Sequence, residues 1–325
     1  MNTKNIRNAR LLPSGLYDLL PPDSRKRRII VNSLLDSFAD NGFDEVSPPL
    51  LEFEDSLLSG KGKKAEKRTF RVLDPESQKM MAFRTDITMQ IARIATSRLK
   101  PSAKSPLKLC YAGEVLWVKG NHLRGERQQT QVGAEIIGSD DVKSDFETIN
   151  LALLALDKLG IENLTLDINL PTLASDILGK SKMDSKKRDA VSKALSSKDK
   201  YKLAELEFEN RDLAMQLIDI FGSYDSVQAK LNKLKLPGKT PVYLERLAVL
   251  VEKLKNSHKN LSITFDPLES RGFDYHTGVS YSILTRSSVE EIARGGRYEI
   301  PINKEEFLPA TGFTLYVNTL ARLIN

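Results

Sequence analysis

Four short stretches of this 325-residue chain carry the residues best suited to chemistry. The first is Arg84-Thr85-Asp86-Ile87-Thr88, where a strand pattern gives way to a helix pattern. Asp86 has two readings. It is a cap that accepts backbone N–H groups at the helix start, or a carboxylate aimed at a ligand amine; taken alone, capping is the simpler account. The second stretch is Gln131-Val132-Gly133-Ala134-Glu135. In a strand, Gln131, Gly133 and Glu135 share one face, so an amide and a carboxylate flank a gap through which something can approach the sheet. A solvated polar face explains the same pattern equally well. The third and fourth are Arg271-Gly272-Phe273-Asp274-Tyr275-His276 and Arg294-Gly295-Gly296-Arg297-Tyr298. Arg271 has the fork that suits a carboxylate, while Tyr275, His276 and Tyr298 can wall a small planar group. Bulge glycines and core tyrosines are the alternative; two such motifs in one short region favour a ligand site. Acceptors from Asp86, Gln131 and Glu135 opposite the Arg271 fork would suit an α-amino acid.

Other chemistries have little support. The one cysteine, Cys110, excludes an intrachain disulfide and argues against a thiolate zinc site. The three histidines, His122, His258 and His276, show no metal-binding spacing. The net charge of +6 is small and interspersed with acids. The basic stretches Lys61 to Arg68 and Lys180 to Arg188 therefore read as solvated surface rather than as a nucleic-acid groove. No apolar run reaches the ~18 residues of a membrane span. The N-terminus is polar without an apolar signal core, so a cytoplasmic location is expected, with no cofactor.

The elements that must position these residues follow from periodicity. Pro21-Pro22-Asp23-Ser24 reads as a helix start with Asp23 or Ser24 as cap, and Ile30, Leu34, Leu35 and Phe38 fall on one helical face. Gly42 ends that helix, and a strand-like stretch runs from Phe43 to Leu51. Thr69 to Leu73 and Met80 to Arg84 flank Asp74-Pro75-Glu76-Ser77 as a hairpin. A helix to about Leu99 follows. Leu107 to Tyr111, Val115 to Val118 and Gln129 to Ile137 read as antiparallel strands, and Val142 to Leu159 as a helix. Residues 173–257 are rich in Lys, Leu and Ala with helical patterning and read as an inserted helical subdomain, between core segments 1–172 and 258–325. Strands return at Leu261 to Phe265, Val279 to Leu284 and Val289 to Ala293, and a last helix spans Gly312 to Leu323. The expectation is an α+β fold, a mostly antiparallel sheet flanked by helices.

In this order, the motifs resemble the catalytic core of histidyl-tRNA synthetase, a class II aminoacyl-tRNA synthetase. Asn41 to Glu52, with Pro49 at the motif proline, is similar to the family's dimer motif. RTDIT at 84–88 corresponds to its Arg-Pro-Glu-Gly-Thr turn, QVGAE at 131–135 to its Gln-x-Gly-x-Glu strand, and RGFDYH at 271–276 with GGRY at 295–298 to its two histidine-specific motifs. The resemblance runs from about Ser14 to the C-terminus. It implies a class II fold, a two-fold dimer, and histidine binding by Arg84, Thr85, Asp86, Gln131, Glu135, Arg271, Tyr275, His276 and Tyr298.

The departures from that family concern ATP. Its Phe-Arg-x-Glu motif reads Leu116-Trp117-Val118-Lys119 here, so tryptophan and lysine replace the arginine and glutamate that hold the nucleotide. In the last motif, Thr319 stands at a second ATP-binding arginine and Tyr316 at a glycine. Each lost positioned charge removes about 3 kcal/mol of transition-state stabilisation, so no adenylation is expected. The sequence also stops one helix after Gly312, where synthetases continue into an anticodon-binding domain; tRNA binding is not expected. The paralogue group with this profile is the regulatory subunit of short-form ATP phosphoribosyltransferase, which the segment Met89 to Arg93 also resembles. That resemblance implies an allosteric, non-catalytic partner of the short catalytic subunit, carrying histidine feedback in histidine biosynthesis. A truncated histidine-activating ligase and a dimeric adaptor with a vestigial pocket are the competing readings.

Overall fold

The computed structural model describes residues 11–57, 68–100, 105–120, 123–179, 183–269, 276–303 and 305–324. The first helix, α1 (Asp23–Asp40), buries Ile30, Leu34 and Phe38, the one-face spacing of the sequence. It starts with Pro22 in the cap position and no side-chain cap, one residue before the expected Asp23 or Ser24. Gly42 at φ 81° turns the chain out of it.

The expected strand from Phe43 to Leu51 is two strands in two different sheets. β1 (Asp44–Glu45) runs parallel to β5 (Leu107–Leu116), and β2 (Leu51–Phe53) pairs with β4 (Met80–Phe83). Pro48 and Pro49 lie between them; proline has no N–H to give a ladder, so the chain leaves one sheet there and joins another. β3 (Arg71–Leu73) and β4 form the expected hairpin. The small sheet has the order β2-β4-β3.

The large sheet has nine strands in the order β1-β5-β6-β12-β11-β10-β7-β9-β8. Here β6 is Gln128–Ile137, β7 Leu164–Asn169, β8 Gly222–Ser223, β9 Ser262–Asp266, β10 His276–Thr285, β11 Ala293–Pro301 and β12 Phe307–Tyr316. The pairs β1/β5 and β7/β9 are parallel and the rest antiparallel. The fold is α+β, as expected, with a mixed sheet flanked by helices.

Several boundaries differ from the sequence reading. β5 is continuous through Gly113. Val289 to Ala293 is not a strand: Val289 is 86% exposed, and β11 begins only at Ala293. Gly312 to Tyr316 belongs to β12, and the last helix, α10, is Val317–Leu323. β7, with its alternating Leu-Thr-Leu-Asp-Ile-Asn, was not anticipated.

Parallel neighbours need a crossover connection. Between β7 and β9 it is supplied by α4 (Pro171–Leu178), α5 (Ser185–Ser196), α6 (Lys200–Glu205), α7 (Arg211–Leu217), α8 (Tyr224–Leu231) and α9 (Thr240–Ser257). Segment 173–257 falls within this crossover. Its buried residues, among them Leu173, Leu195, Val227 and Leu250, belong to the same apolar cluster as the sheet residues Val132, Phe313 and Ile283. That cluster also takes in α1 and α3 (Val142–Lys158). The helices therefore cover one sheet face, and alternation along each strand gives the other a second apolar cluster, with Leu109, Tyr111, Ile137 and Ile300 packed against Ile87 and Ile91, beside a group of polar residues around Glu135.

One buried ion cluster fastens the helical face. Arg297 of β11 donates to Asp145 of α3 (Nε to Oδ1, 2.9 Å), and Arg246 of α9 donates to Asp145 Oδ2 from Nε and Nη2 at 3.1 and 3.0 Å. Asp145 and Arg297 are both buried.

Candidate amino-acid site

On the face opposite the helices, register brings the motifs together. Glu135 of β6 lies beside Gly312 of β12, which lies beside Gly296 of β11. One step along, Gly133, Thr314 and Arg294 form the next row, and Gln131 pairs with Tyr316 beyond it. The head of the helix after RTDIT, α2 (Thr88–Ile94), reaches this face from the side.

Glu135 is the centre. It is fully buried and accepts hydrogen bonds from the Thr88 hydroxyl (3.0 Å) and the Tyr298 hydroxyl (3.0 Å). Burial pushes its carboxyl up to about 8; the hydroxyl donors pull the other way, and Asp86 adds to the rise. Gly312 makes this placement possible, because a Cβ there would sit 1.8 Å from Glu135 Oε2. The gap at Gly133 is filled from within the chain. The Tyr111 hydroxyl occupies it, 2.7 Å from Thr314 Oγ1 and 3.3 Å from Thr88 Oγ1. Burial holds the Tyr111 phenol well above its ordinary value.

Thr88, Glu135, His276, Arg294, Tyr298 and Thr314 line one cavity with backbone from Gly295, Gly312 and Phe313. It has about 10 Å³ of room, close to the volume one water needs. A cavity of this size could take an amino acid only if wall side chains shifted. Gln131 is buried on the same face, and its amide oxygen has no hydrogen-bond partner among the described residues. An unmatched buried acceptor of this kind costs about 1–3 kcal/mol, which a ligand donor would recover.

The remaining expected site residues fall into three groups. Asp86 is half-buried and accepts the Thr88 N–H at 3.0 Å from one residue before the cap position, which is Ile87. Its charge is also felt at Glu135 and Tyr111. Arg84 is buried and bonds to backbone: Nε donates to Glu114 O (2.7 Å) and Nη1 to Pro48 O (2.9 Å). Thr85 gives its carbonyl to the Trp117 indole N–H at 2.9 Å. Arg271 and Tyr275 lie outside the described residues. Sequence reasoning missed Thr88, Arg294 and Thr314 as lining residues; Arg294 and Thr314 follow from strand alternation once β11 and β12 are recognised, while Thr88 comes from the head of α2.

At the positions compared with nucleotide contacts, Trp117 is half-buried against the strand, Lys119 is exposed, and Thr319 is buried on α10. Nearby, Arg322 donates to Glu126 Oε1 (2.9 Å) and to Thr319 Oγ1 (3.2 Å) and pairs with Glu290. Tyr17 joins this cluster through Glu126, and its phenol is pushed up to about 12, chiefly by burial. Among the described residues, no group of three His, Cys, Asp or Glu side chains converges on a metal site, and no helix is long and apolar enough to cross a membrane.

Comparison with known proteins now decides the family. A histidyl-tRNA synthetase family model matches residues 15–320. An ATP phosphoribosyltransferase regulatory subunit from Rhodospirillum centenum is 41% identical over 97% of this chain and 80% of its own length. The chain belongs to the family of ATP phosphoribosyltransferase regulatory subunits. Its members are named as regulatory subunits rather than as ligases. The fold agrees. An ATP phosphoribosyltransferase regulatory subunit/histidyl-tRNA synthetase from Bacillus halodurans superposes with a TM-score of 0.82 at 22% identity, over 97% of this chain and 83% of that one. A chain of the ATP phosphoribosyl transferase (HisG:HisZ) complex from Thermotoga maritima gives 0.67 at 17%, over 92% and 98%.

Proposed function

We propose that this chain is the non-catalytic partner of a short-form ATP phosphoribosyltransferase catalytic subunit, and that it binds L-histidine on the face of the large sheet opposite the helices as a feedback signal. One observation carries the reading. Glu135 is buried between Thr88 and Tyr298 and the Gln131 amide oxygen is left for a donor, which supports amino-acid binding, while the positions compared with nucleotide contacts hold Trp117, Lys119 and Thr319. A site that keeps one substrate's contacts without the other's is a sensor, not a ligase. Histidine then biases the assembly toward a less active arrangement, by as much as its affinity differs between the two.

Self-association fits the same reading. Leu50, Phe53, Val72, Leu73 and Met80 are exposed on and beside the small sheet β2-β4-β3. An apolar patch at the family's dimer motif suits a two-fold partner. With two copies paired there, the helical face of each stays available to the catalytic subunit in the cytoplasm.

Co-purification with a short-form catalytic subunit, followed by phosphoribosyl transfer assays with and without this chain, tests the proposal. The expected result is activity only in the complex, with inhibition by histidine that Glu135→Ala weakens. Full activity of the catalytic subunit alone, or inhibition unchanged in Glu135→Ala, would count against it.

A further inference from the structure

Arg294 occupies a position from which it can do more than complete a strand. It precedes the Gly295-Gly296 pair in β11, lines the same cavity as Glu135, and faces the same side of the sheet as Gln131 and Glu135. One strand, β12, separates the carboxyl of Glu135 on β6 from the guanidinium of Arg294 on β11, with Gly312 and Thr314 as the floor between. Glu291 holds the guanidinium from outside, accepting from Nη2 at 2.6 Å. An arginine braced in this way loses little freedom when it takes up an anion. Its charge is also the largest influence after burial on the neighbouring Tyr316 hydroxyl, so the guanidinium lies toward Tyr316 and the row of Gln131.

From these placements we infer that Arg294 binds the carboxylate of the amino acid held in this site, and so sets its preference for a free α-carboxylate. The inference rests on the amino-acid reading above and adds to it. The acceptors Gln131 and Glu135 lie on one side of the floor and the cation on the other, which is the charge order of a zwitterion.

Titration calorimetry on the whole chain, comparing L-histidine with L-histidinol, which has a hydroxymethyl group in place of the carboxylate, tests this. Wild type should bind histidine at least about tenfold tighter, the value of one charge-assisted contact. Arg294→Gln should lose that difference while its histidinol affinity stays within about twofold of wild type. Arg294→Lys, which keeps the charge and is the variant to rely on if Arg294→Gln does not fold, should retain part of the preference and lose the rest. An equal loss of both ligands, or an unchanged preference in either folded variant, would overturn the assignment while leaving the amino-acid site standing. Wild type that binds neither ligand would remove the site and the clamp together.

Discussion

Glu135→Gln should make the folded chain more stable at neutral pH. The carboxyl of Glu135 is buried, receives two hydroxyl donors, and is pushed from an ordinary 4.5 up to about 8. A carboxyl with a raised folded-state pKa binds its proton more tightly folded than unfolded. Between pH 4.5 and about 8 the unfolded state has lost the proton and the folded state has kept it, so stability falls as pH rises through this window. The slope is about 1.4 kcal/mol per pH unit. At pH 7 the accumulated cost is about 3 kcal/mol, and at pH 5 it is under about 1 kcal/mol. Glutamine has nearly the same shape and no charge to desolvate. The Thr88 and Tyr298 hydroxyls can each donate or accept, so the amide keeps both partners. The assay is thermal or urea unfolding of variant and wild type from pH 5 to pH 8. Thr88 and Asp86 beside α2, Tyr111 on β5, Arg294 and Tyr298 on β11 and His276 on β10 face the same space. They are common to both proteins, so the difference between the two isolates position 135. The variant should match wild type near pH 5 and gain steadily toward pH 8, while losing amino-acid binding. Parallel pH profiles, or a variant weaker at pH 7, would refute the argument. The exchange of stability for binding is what a site for a cationic group requires, because the ligand's charge replaces the proton.

Asp145→Ala should destabilise the fold by about 3–5 kcal/mol, because it leaves Arg297 buried and Arg246 largely buried with their shared carboxylate gone. Urea unfolding should show a lower midpoint at unchanged slope, and an unchanged midpoint would show that the cluster adds nothing. Gly312→Ala should cost about 1–3 kcal/mol of stability by overpacking and abolish amino-acid binding, since its methyl would lie 1.8 Å from Glu135 Oε2. Calorimetry of the folded variant with histidine reads this out, and wild-type affinity would contradict the geometry.

Much of the site was legible because its motifs carry their own strand arithmetic. Gln131 and Glu135 share a face by alternation alone, and Asp86 sits at a helix head as its type suggests. What the sequence could not reveal was what fills a glycine's gap. Gly133 reads as an opening for a ligand, yet the Tyr111 ring from β5 closes it, and Gly113 makes room in the same way for Arg84. Those partners come from 22 residues away, as Tyr111 to Gly133, and 29 residues away, as Arg84 to Gly113. Local pattern holds no trace of them. The strand boundaries failed for another reason. Val289 has strand propensity but no partner, whereas the glycines of β11 and β12 have poor propensity and a full ladder. Pairing outranks propensity in a central strand.

The motif Arg294 to Tyr298 shows how far such reasoning can be taken. Read as a cluster, its five residues point to one site. Read with period two, they divide. Arg294 and Tyr298 turn their side chains to the cavity, to which Gly295 lends backbone, while Arg297 faces the helices. The two arginines thus have opposite tasks despite lying three residues apart. Arg297 spends its guanidinium on Asp145 and cannot reach a ligand; Arg294 lies over the floor shared with Glu135. Tyr298 and Arg297 are adjacent on one strand, so the hydroxyl that holds Glu135 and the guanidinium that holds α3 move as one piece of backbone. A shift of β11 that opens the small cavity for a ligand must also load the Asp145 cluster, and through Arg246 the helix α9. The cluster that stabilises the fold is therefore also a physical link between the two faces of the sheet.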